Sequence, residues 1–260
     1  MFINDIHIFW YVGIGLLGLI VGRFLGLVNK NLPEHKTIFR VDAIKEYLKN
    51  TNANYALMVA ISVIYIALLR IVGIEDILQL VGFIILVPML TSAFLIDYKL
   101  QIIPNRLTLV MWETGLVFSF LRGLNNIYAA IEMWAGMIIG SGIFLLLTFI
   151  GNLIFKKETM GFGDVKLMGA LGLFFGWRSI IAITILSFFI AAIYSLVLII
   201  KNKIKKQDLE EFIPFGPFIV LASFVVMFVK LDVLIKITFW IFTFGGVNWK
   251  CFSLSILWSR

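Results

Sequence analysis

Charged residues are scarce in this chain: Asp, Glu, Lys and Arg make up only 14% of its 260 residues, whereas 61% are hydrophobic. About a quarter of the residues in an ordinary soluble domain are charged, so this composition excludes one. The apolar residues form long runs, and runs of about 20 are what a bilayer core of roughly 30 Å requires of a helix. The sequence therefore predicts an all-α, polytopic membrane protein.

Cysteine and histidine are almost absent, with one Cys and two His. The single Cys251 cannot form an internal disulfide, and no spacing typical of zinc ligands is present. We therefore expect neither a structural disulfide nor a metal. The net charge of +7 falls mainly in loops between apolar runs. This distribution favours loop charges that set the membrane topology over charges that bind nucleic acid.

The apolar runs predict about eight transmembrane helices joined by short loops. They lie at 8–28, 53–74, 77–96, 107–121, 127–155, 165–177, 180–200 and 212–229, and the sixth is short. We expect residues 1–230 to form one membrane domain and 231–260 to form an apolar tail of unassigned role. Loop 29–54 is expected to contain a short amphipathic surface helix.

Lysine and arginine predict the orientation of these helices. Fourteen of them fall in four loops, and five fall on the opposite side. The four loops are 29–52, 98–106, 151–166 and 201–211. The positive-inside rule places this set in the cytoplasm of a cell inner or plasma membrane protein, with the N-terminus outside. We expect run 8–28 to be a retained helix, because no basic segment precedes it.

Glycines four residues apart predict close helix packing, because a small residue lets two backbones approach. They occur at Gly18, Gly22 and Gly26, at Gly136 and Gly140, and at Gly172 and Gly176. We interpret these three sets as packing signals without a chemical role.

Two aspartates lie at predicted membrane boundaries, where acidic residues are costly and informative. Asp97 ends the third run, and a carboxylate at a helix C-terminus meets the negative end of the dipole. Asp164 opens the sixth run, and one interpretation is a simple helix N-cap. Gly161 and Gly163 also favour a second interpretation, in which the loop lets a substrate backbone come close.

The predicted topology puts both aspartates at the cytoplasmic border, where they could be neighbours in space. Two adjacent carboxyl groups cannot both ionise easily, so one keeps a proton while the other activates a water molecule. This is the chemistry of an aspartic protease, and it requires no metal, nucleophilic side chain or organic cofactor.

Three motifs around these residues resemble those of the type IV prepilin peptidases. "DYKLQIIPN" at 97–105 is similar to the family's first aspartate motif, and "GFGDVKL" at 161–167 is similar to its glycine-x-glycine-aspartate motif. "IPFGPF" at 213–218 is similar to the signature that opens the family's last helix. The motifs occur in the family's order, and the resemblance covers about residues 10–230.

The resemblance implies a membrane aspartic endopeptidase that removes the basic leader from type IV prepilins, pseudopilins or competence pilins, after a glycine at the cytoplasmic membrane face. Asp97 and Asp164 would be the catalytic pair, and the partners would be the precursors and the lipid bilayer. The matching active-site loop residues are Pro104, Asn105, Gly161, Gly163, Lys166, Pro214, Phe215, Gly216 and Pro217.

Many members of that family also N-methylate the new terminus with S-adenosylmethionine and carry two cysteine pairs in the first cytoplasmic loop. Loop 29–54 contains no cysteine, which excludes zinc there and leaves methylation open. An archaeal-type preflagellin peptidase or another intramembrane protease with a glycine-x-glycine-aspartate motif is the nearest alternative. A carboxylate-dependent transporter would need charges near the midplane and inverted repeats, which the sequence does not display.

Overall fold

The computed structural model describes residues 2–3, 6–32, 55–74, 76–156, 160–205, 213–229 and 233. Within these ranges the chain is helical apart from one antiparallel pair of two-residue strands, β1 (Phe2–Ile3) and β2 (Ile6–His7). The helices are α1 (Ile8–Asn31), α2 (Tyr55–Val72), α3 (Ile77–Leu100), α4 (Asn105–Asn125), α5 (Ile127–Phe155), α6 (Phe162–Lys205) and α7 (Gly216–Phe228). The predicted all-helical membrane fold is confirmed.

Six of the described helices, α1 to α6, are long and apolar enough to cross a membrane. The prediction of eight spans is therefore not confirmed. The sixth and seventh predicted runs both fall within α6. The eighth corresponds to α7, which has 13 residues and is about 20 Å long, less than the roughly 30 Å of a bilayer core.

Helix α6 reverses direction at Gly176. A Cβ atom built on Gly140 of α5 would lie 2.8 Å from the Met168 carbonyl oxygen and 2.9 Å from an Ile180 side-chain carbon. In a straight helix those two residues would be about 18 Å apart along the axis. Gly176 has φ 76° and ψ 173°, a conformation that favours glycine. We call residues 162–175 the first arm and 177–205 the second arm.

The two arms pack against α5 in opposite directions. Gly136 and Gly140 of α5 approach Gly172 and Met168 of the first arm, so these segments are antiparallel. Phe144 and Phe188, whose ring centroids are 6.0 Å apart, continue a parallel contact with the second arm. A side chain on Gly172 would overlap the backbone of Gly136, which confirms the predicted close packing at this pair.

The glycines of α1 follow their prediction only in part. A Cβ atom on Gly18 or Gly22 would collide with the α2 backbone at Ser62 or Met58. For Gly26 the expectation stays a prediction, since nothing among the described residues would lie within 4 Å of a Cβ atom there. Spacing alone identifies a helix face and does not show how far the neighbouring helix extends along it.

The first arm is the centre of the fold. Val165 and residues 167–174 of this arm are buried, and α6 as a whole packs against α4, α5 and α7. Helix α4 runs parallel to it, because Trp112 contacts Lys166 while Phe118 stacks on Phe174. The predicted surface helix in 29–54 and tail 231–260 lie outside the described residues, apart from residues 29–32 and 233.

Candidate active site

Asp97 lies in the last turn of α3 and is only 5% exposed. The helix ends at Gln101, which is left-handed with φ 55°, and whose amide donates to the Asp97 carbonyl oxygen at 2.8 Å. The chain then continues to Pro104, whose extended backbone leads into α4. The Asp97 carboxyl group accepts a hydrogen bond from the backbone amide of Gly216 at the start of α7. This bond links the first and third sequence motifs.

Asp164 lies in the first turn of α6 and is 6% exposed. Its backbone amide donates to the carbonyl oxygen of Gly161 at 3.1 Å, so the helix begins before it. The interpretation of Asp164 as a simple N-cap is therefore wrong, because its position is inside the helix. Its side chain lines a cavity next to Gly161.

The structure brings the two aspartates together. Their carboxyl groups interact electrostatically, although the residues are far apart in sequence. Ile103 lies between the second and third motifs, because its side chain packs against Gly163 on one side and faces Gly216 on the other. Sequence reasoning missed Ile103; the signal was its place inside the first motif, between Asp97 and Pro104.

Gly216 is close to the Asp97 carboxyl group because it has no side chain. A Cβ atom built there would overlap the Asp97 Oδ2 atom and lie 3.2 Å from the Ile103 Cδ1 atom. Any larger residue would force α7 or the carboxyl group to move. The glycine of the third motif therefore permits the contact that its amide makes.

Lys166 and Asn105 tie the starts of α6 and α4 together. The Lys166 ammonium donates to the Asn105 Oδ1 atom at 2.8 Å and lies 5.3 Å from the centroid of the Phe162 ring. The Trp112 indole donates to the Lys166 carbonyl oxygen at 2.9 Å. Because residues two apart on a helix point about 200° from each other, Lys166 is on the opposite face from Asp164. Its contacts position the helix and do not touch the aspartates.

The other residues of the third motif line two cavities. The dyad cavity, of about 290 Å³, is lined by residues that include Leu147, Gly161, Asp164, Phe188, Ile213 and Phe215. The flanking cavity, of about 340 Å³, is lined by residues that include Tyr98, Tyr194, Ile213, Pro214, Pro217 and Leu221. Of these two cavities only the dyad cavity is lined by an aspartate, Asp164, and Phe215 lines it too, whereas Pro214 and Pro217 line the flanking cavity.

This arrangement suits acid–base hydrolysis. Two buried carboxyl groups that interact will share a proton, and one of them opens into a cavity. Within the described ranges, His, Cys, Asp and Glu form no group of three or more that could hold a metal ion. The nine predicted loop residues are all described, and they all lie at this end of the helices.

Known proteins resemble this chain over the region that contains both aspartates. The sequence pattern described as "Type IV leader peptidase family" matches residues 84–196, which contain both aspartates. "Leader peptidase HopD" of Escherichia coli is 33% identical over 135 residues, which are 51% of this chain and 83% of that protein. The chain belongs to the type IV leader peptidase family.

Other type IV leader peptidase relatives are longer. The "Prepilin leader peptidase/N-methyltransferase" of Aeromonas salmonicida (strain A449) is 30% identical over 138 residues, which are 53% of this chain and 45% of that protein. The protein of the same name from Escherichia coli (strain K12) is 30% identical over 130 residues, 50% of this chain and 55% of that protein. The chain spans about half the length of these curated relatives. No solved structure matches it significantly.

Proposed function

We propose that this protein is a membrane aspartic endopeptidase that removes the basic leader from type IV prepilins or related precursors. The observation that carries the proposal is the pairing of Asp97 and Asp164, which come from different helices and are both buried at one end of the bundle. Family membership supports the substrate class, since relatives are named as prepilin leader peptidases.

The proposed reaction uses one ionised and one protonated carboxyl group. The carboxylate takes a proton from water, whose oxygen forms a bond to the peptide carbonyl carbon, while the other carboxyl group protonates the carbonyl oxygen. In the second step the C–N bond breaks and the newly protonated carboxyl group gives its proton to the leaving nitrogen. The other carboxylate takes a proton from a hydroxyl of the intermediate, so both groups return to their starting states.

We place this reaction at the cytoplasmic face. Positive charges collect at the aspartate end of the described helices, as the positive-inside rule requires of a cytoplasmic end. They include Lys99, Arg106, Lys156, Lys166, Lys201 and Lys203, against Arg70, Arg122 and Arg178 at the other end. A precursor helix lying beside the bundle would then present its leader to Asp97 and Asp164 where its own apolar segment ends.

Cleavage of a prepilin precursor by the purified full-length chain in detergent tests the proposal. Asp97→Asn and Asp164→Asn keep the side-chain shape but remove the ionisable group, so we expect each to abolish cleavage, with a fall of at least about 1,000-fold. A matched control is Asp76→Asn, because Asp76 pairs with Arg122 at the opposite end of the bundle. Full activity in either dyad variant would refute the proposed mechanism.

The proposed cleavage needs no cofactor. N-methylation would need S-adenosylmethionine, and the names of two of the relatives above include N-methyltransferase. The described walls of the dyad cavity and the flanking cavity are mostly apolar, which does not fit a charged nucleoside. Labelled S-adenosylmethionine added to the cleavage assay would show any methyl transfer by mass spectrometry of the product.

A further inference from the structure

Glu113 lies on the outer surface of α4, at a depth where a membrane helix rarely carries an acidic group. Its side chain is exposed. Asn105, where α4 begins, is about 12 Å away along the helix axis, and Asn125, where α4 ends, is about 18 Å away. The carboxyl group is therefore inside a bilayer core of roughly 30 Å. An ionisable group that faces lipid at this depth is costly and indicates a partner.

The described part of the chain does not supply that partner. Glu113 makes no hydrogen bond or ion pair with the residues that the structure describes. The hydroxyl group of Thr114, the next residue, donates within α4 to the carbonyl oxygens of Val110 and Met111. Lipid headgroups lie outside the hydrocarbon core. The group that satisfies Glu113 must therefore come from a membrane helix packed against this face.

The rest of this face of α4 is apolar and open. Val110, Val117, Phe120 and Leu124 are all exposed, and together with Glu113 they follow one another at alternating intervals of three and four residues. This spacing is typical of the contact seam between two helices that cross at a small angle. One polar residue in such a seam fixes which residues of the two helices face each other.

An apolar groove between α3 and α4 adjoins this seam. Its walls include Val81, Ile85, Val117 and Leu121, and Glu113 lies at one end of it. The volume of this α3–α4 groove is about 240 Å³, below the roughly 300 Å³ of a site for a whole small molecule. The groove therefore fits one large side chain, which would be held in the membrane by van der Waals packing.

Phe120 is placed to enter the groove of a second copy of the chain. At about 100° per residue, Phe120 lies about 20° to one side of Glu113 around α4, whereas Val117 and Leu121 lie about 40° and 80° to the other side. A two-fold axis along the membrane normal, passing in front of Glu113, brings each side of one helix against the opposite side of the other. Phe120 of each copy then faces the α3–α4 groove of the other copy at the same depth.

The same axis brings the two Glu113 side chains together, because both copies have the same orientation in the membrane. A protonated carboxyl group donates a hydrogen bond and a carboxylate accepts one, so two copies of Glu113 satisfy each other without a cation. We propose that the protein forms a symmetric dimer through α4, in which the Glu113 carboxyl groups bond to each other and Phe120 fills the α3–α4 groove of the other copy. This interface goes beyond the proposed peptidase function and does not depend on it.

Energy transfer between copies labelled at Cys251, the single cysteine of the sequence, measures the dimer in liposomes over a series of protein-to-lipid ratios. We expect Glu113→Leu to weaken the dimer by about five-fold or more, because it removes the hydrogen bond between the helices. Glu113→Gln should keep the dimer, since an amide both donates and accepts. Phe120→Ala should weaken it, whereas Phe149→Ala, which removes a similarly exposed ring from α5, should not.

Disulfide formation locates the interface independently of that measurement. In a Cys251→Ser background, oxidation of membranes should join two copies through Val117→Cys, on the seam, and not through Leu146→Cys, which is similarly exposed on α5. A protein that stays monomeric at every ratio, or a dimer that Glu113→Leu leaves as strong as the wild type, would overturn the proposal. Equally efficient cross-linking through the two cysteine positions would overturn it too.

Discussion

Gly216 controls how closely α7 can approach Asp97. Its amide donates to the Asp97 carboxyl group, and a Cβ atom at that position would overlap the Oδ2 atom. We therefore expect Gly216→Ala to displace the carboxyl group and lower kcat/KM for precursor cleavage by about 100-fold, since a shift of about 1 Å at a reacting group costs this much. Cleavage assays in detergent measure the effect.

Gly142→Ala is the control for that substitution. Gly142 is in α5, and nothing among the described residues would lie within 4 Å of a Cβ atom there. Both changes favour helix formation, so neither should lower the unfolding temperature through propensity. Equal activity of the two variants would show that the contact at Asp97 does not matter for cleavage.

Lys166 and Asn105 should act as a pair. Each single change, Lys166→Met or Asn105→Ala, removes the same hydrogen bond of 2.8 Å. We expect the double variant to lose less stability than the sum of the singles, with a coupling energy of about 0.5–1 kcal/mol. Unfolding of the four proteins in detergent measures this coupling, and strict additivity would show that the bond contributes nothing.

The sequence supported the placement of the aspartates better than that of their neighbours. Asp97 and Asp164 are expected to be close because the predicted topology puts both at the cytoplasmic border, and the structure does place them together. Ile103 carried no such signal, since one more apolar residue beside a helix is unremarkable in this composition. The bond from Gly216 to Asp97 was also missed, because it joins segments more than 100 residues apart and no local pattern specifies it.

At the scale of elements, the close contact between α5 and the first arm depends on Gly172. A side chain there would overlap the backbone of Gly136. We expect Gly172→Val to push the two helices apart and to destabilise the protein by about 3 kcal/mol or more, beyond the usual 1–3 kcal/mol of overpacking, because backbone cannot yield as side chains do. A lowered unfolding temperature in detergent would be the readout.

Gly142→Val supplies the comparison on the same helix, at a position with open space. It should change the unfolding temperature by much less. Similar losses in the two valine variants would show that β-branching, and not the contact with Gly136, causes the effect.

Hydropathy predicted where the helices lie more reliably than how many of them cross the membrane. Runs 165–177 and 180–200 were predicted as two separate spans, and they fall in the two arms of α6, which reverses direction at Gly176. The reversal depends on the positive φ of Gly176. Glycine in an apolar helix also occurs where two helices pack closely, so the residue by itself does not predict a reversal. The predicted span at 212–229 was also too long, because α7 begins only after Phe215 and ends at Phe228.

For the molecule as a whole, the proposed orientation can be measured directly. Lys99 and Arg178 are both exposed, at the aspartate end and the Gly176 end respectively. In a Cys251→Ser background, we expect a membrane-impermeant maleimide applied to intact cells to label Arg178→Cys and not Lys99→Cys, because the positive-inside rule places Lys99 in the cytoplasm. Labelling of both after detergent treatment is the control, and the reverse pattern would invert the topology.

The short first arm has a consequence for how the protein is made. At 14 residues it is about 21 Å long, too short to be inserted across a bilayer by itself, and it is enclosed by other helices. Asp164 can reach its final position only after the second arm has been synthesised and has folded back along α5. Asp97 gains its bond from Gly216 later still, when α7 emerges from the ribosome. The growing chain therefore has no complete carboxyl pair until nearly all of its described helices have been synthesised.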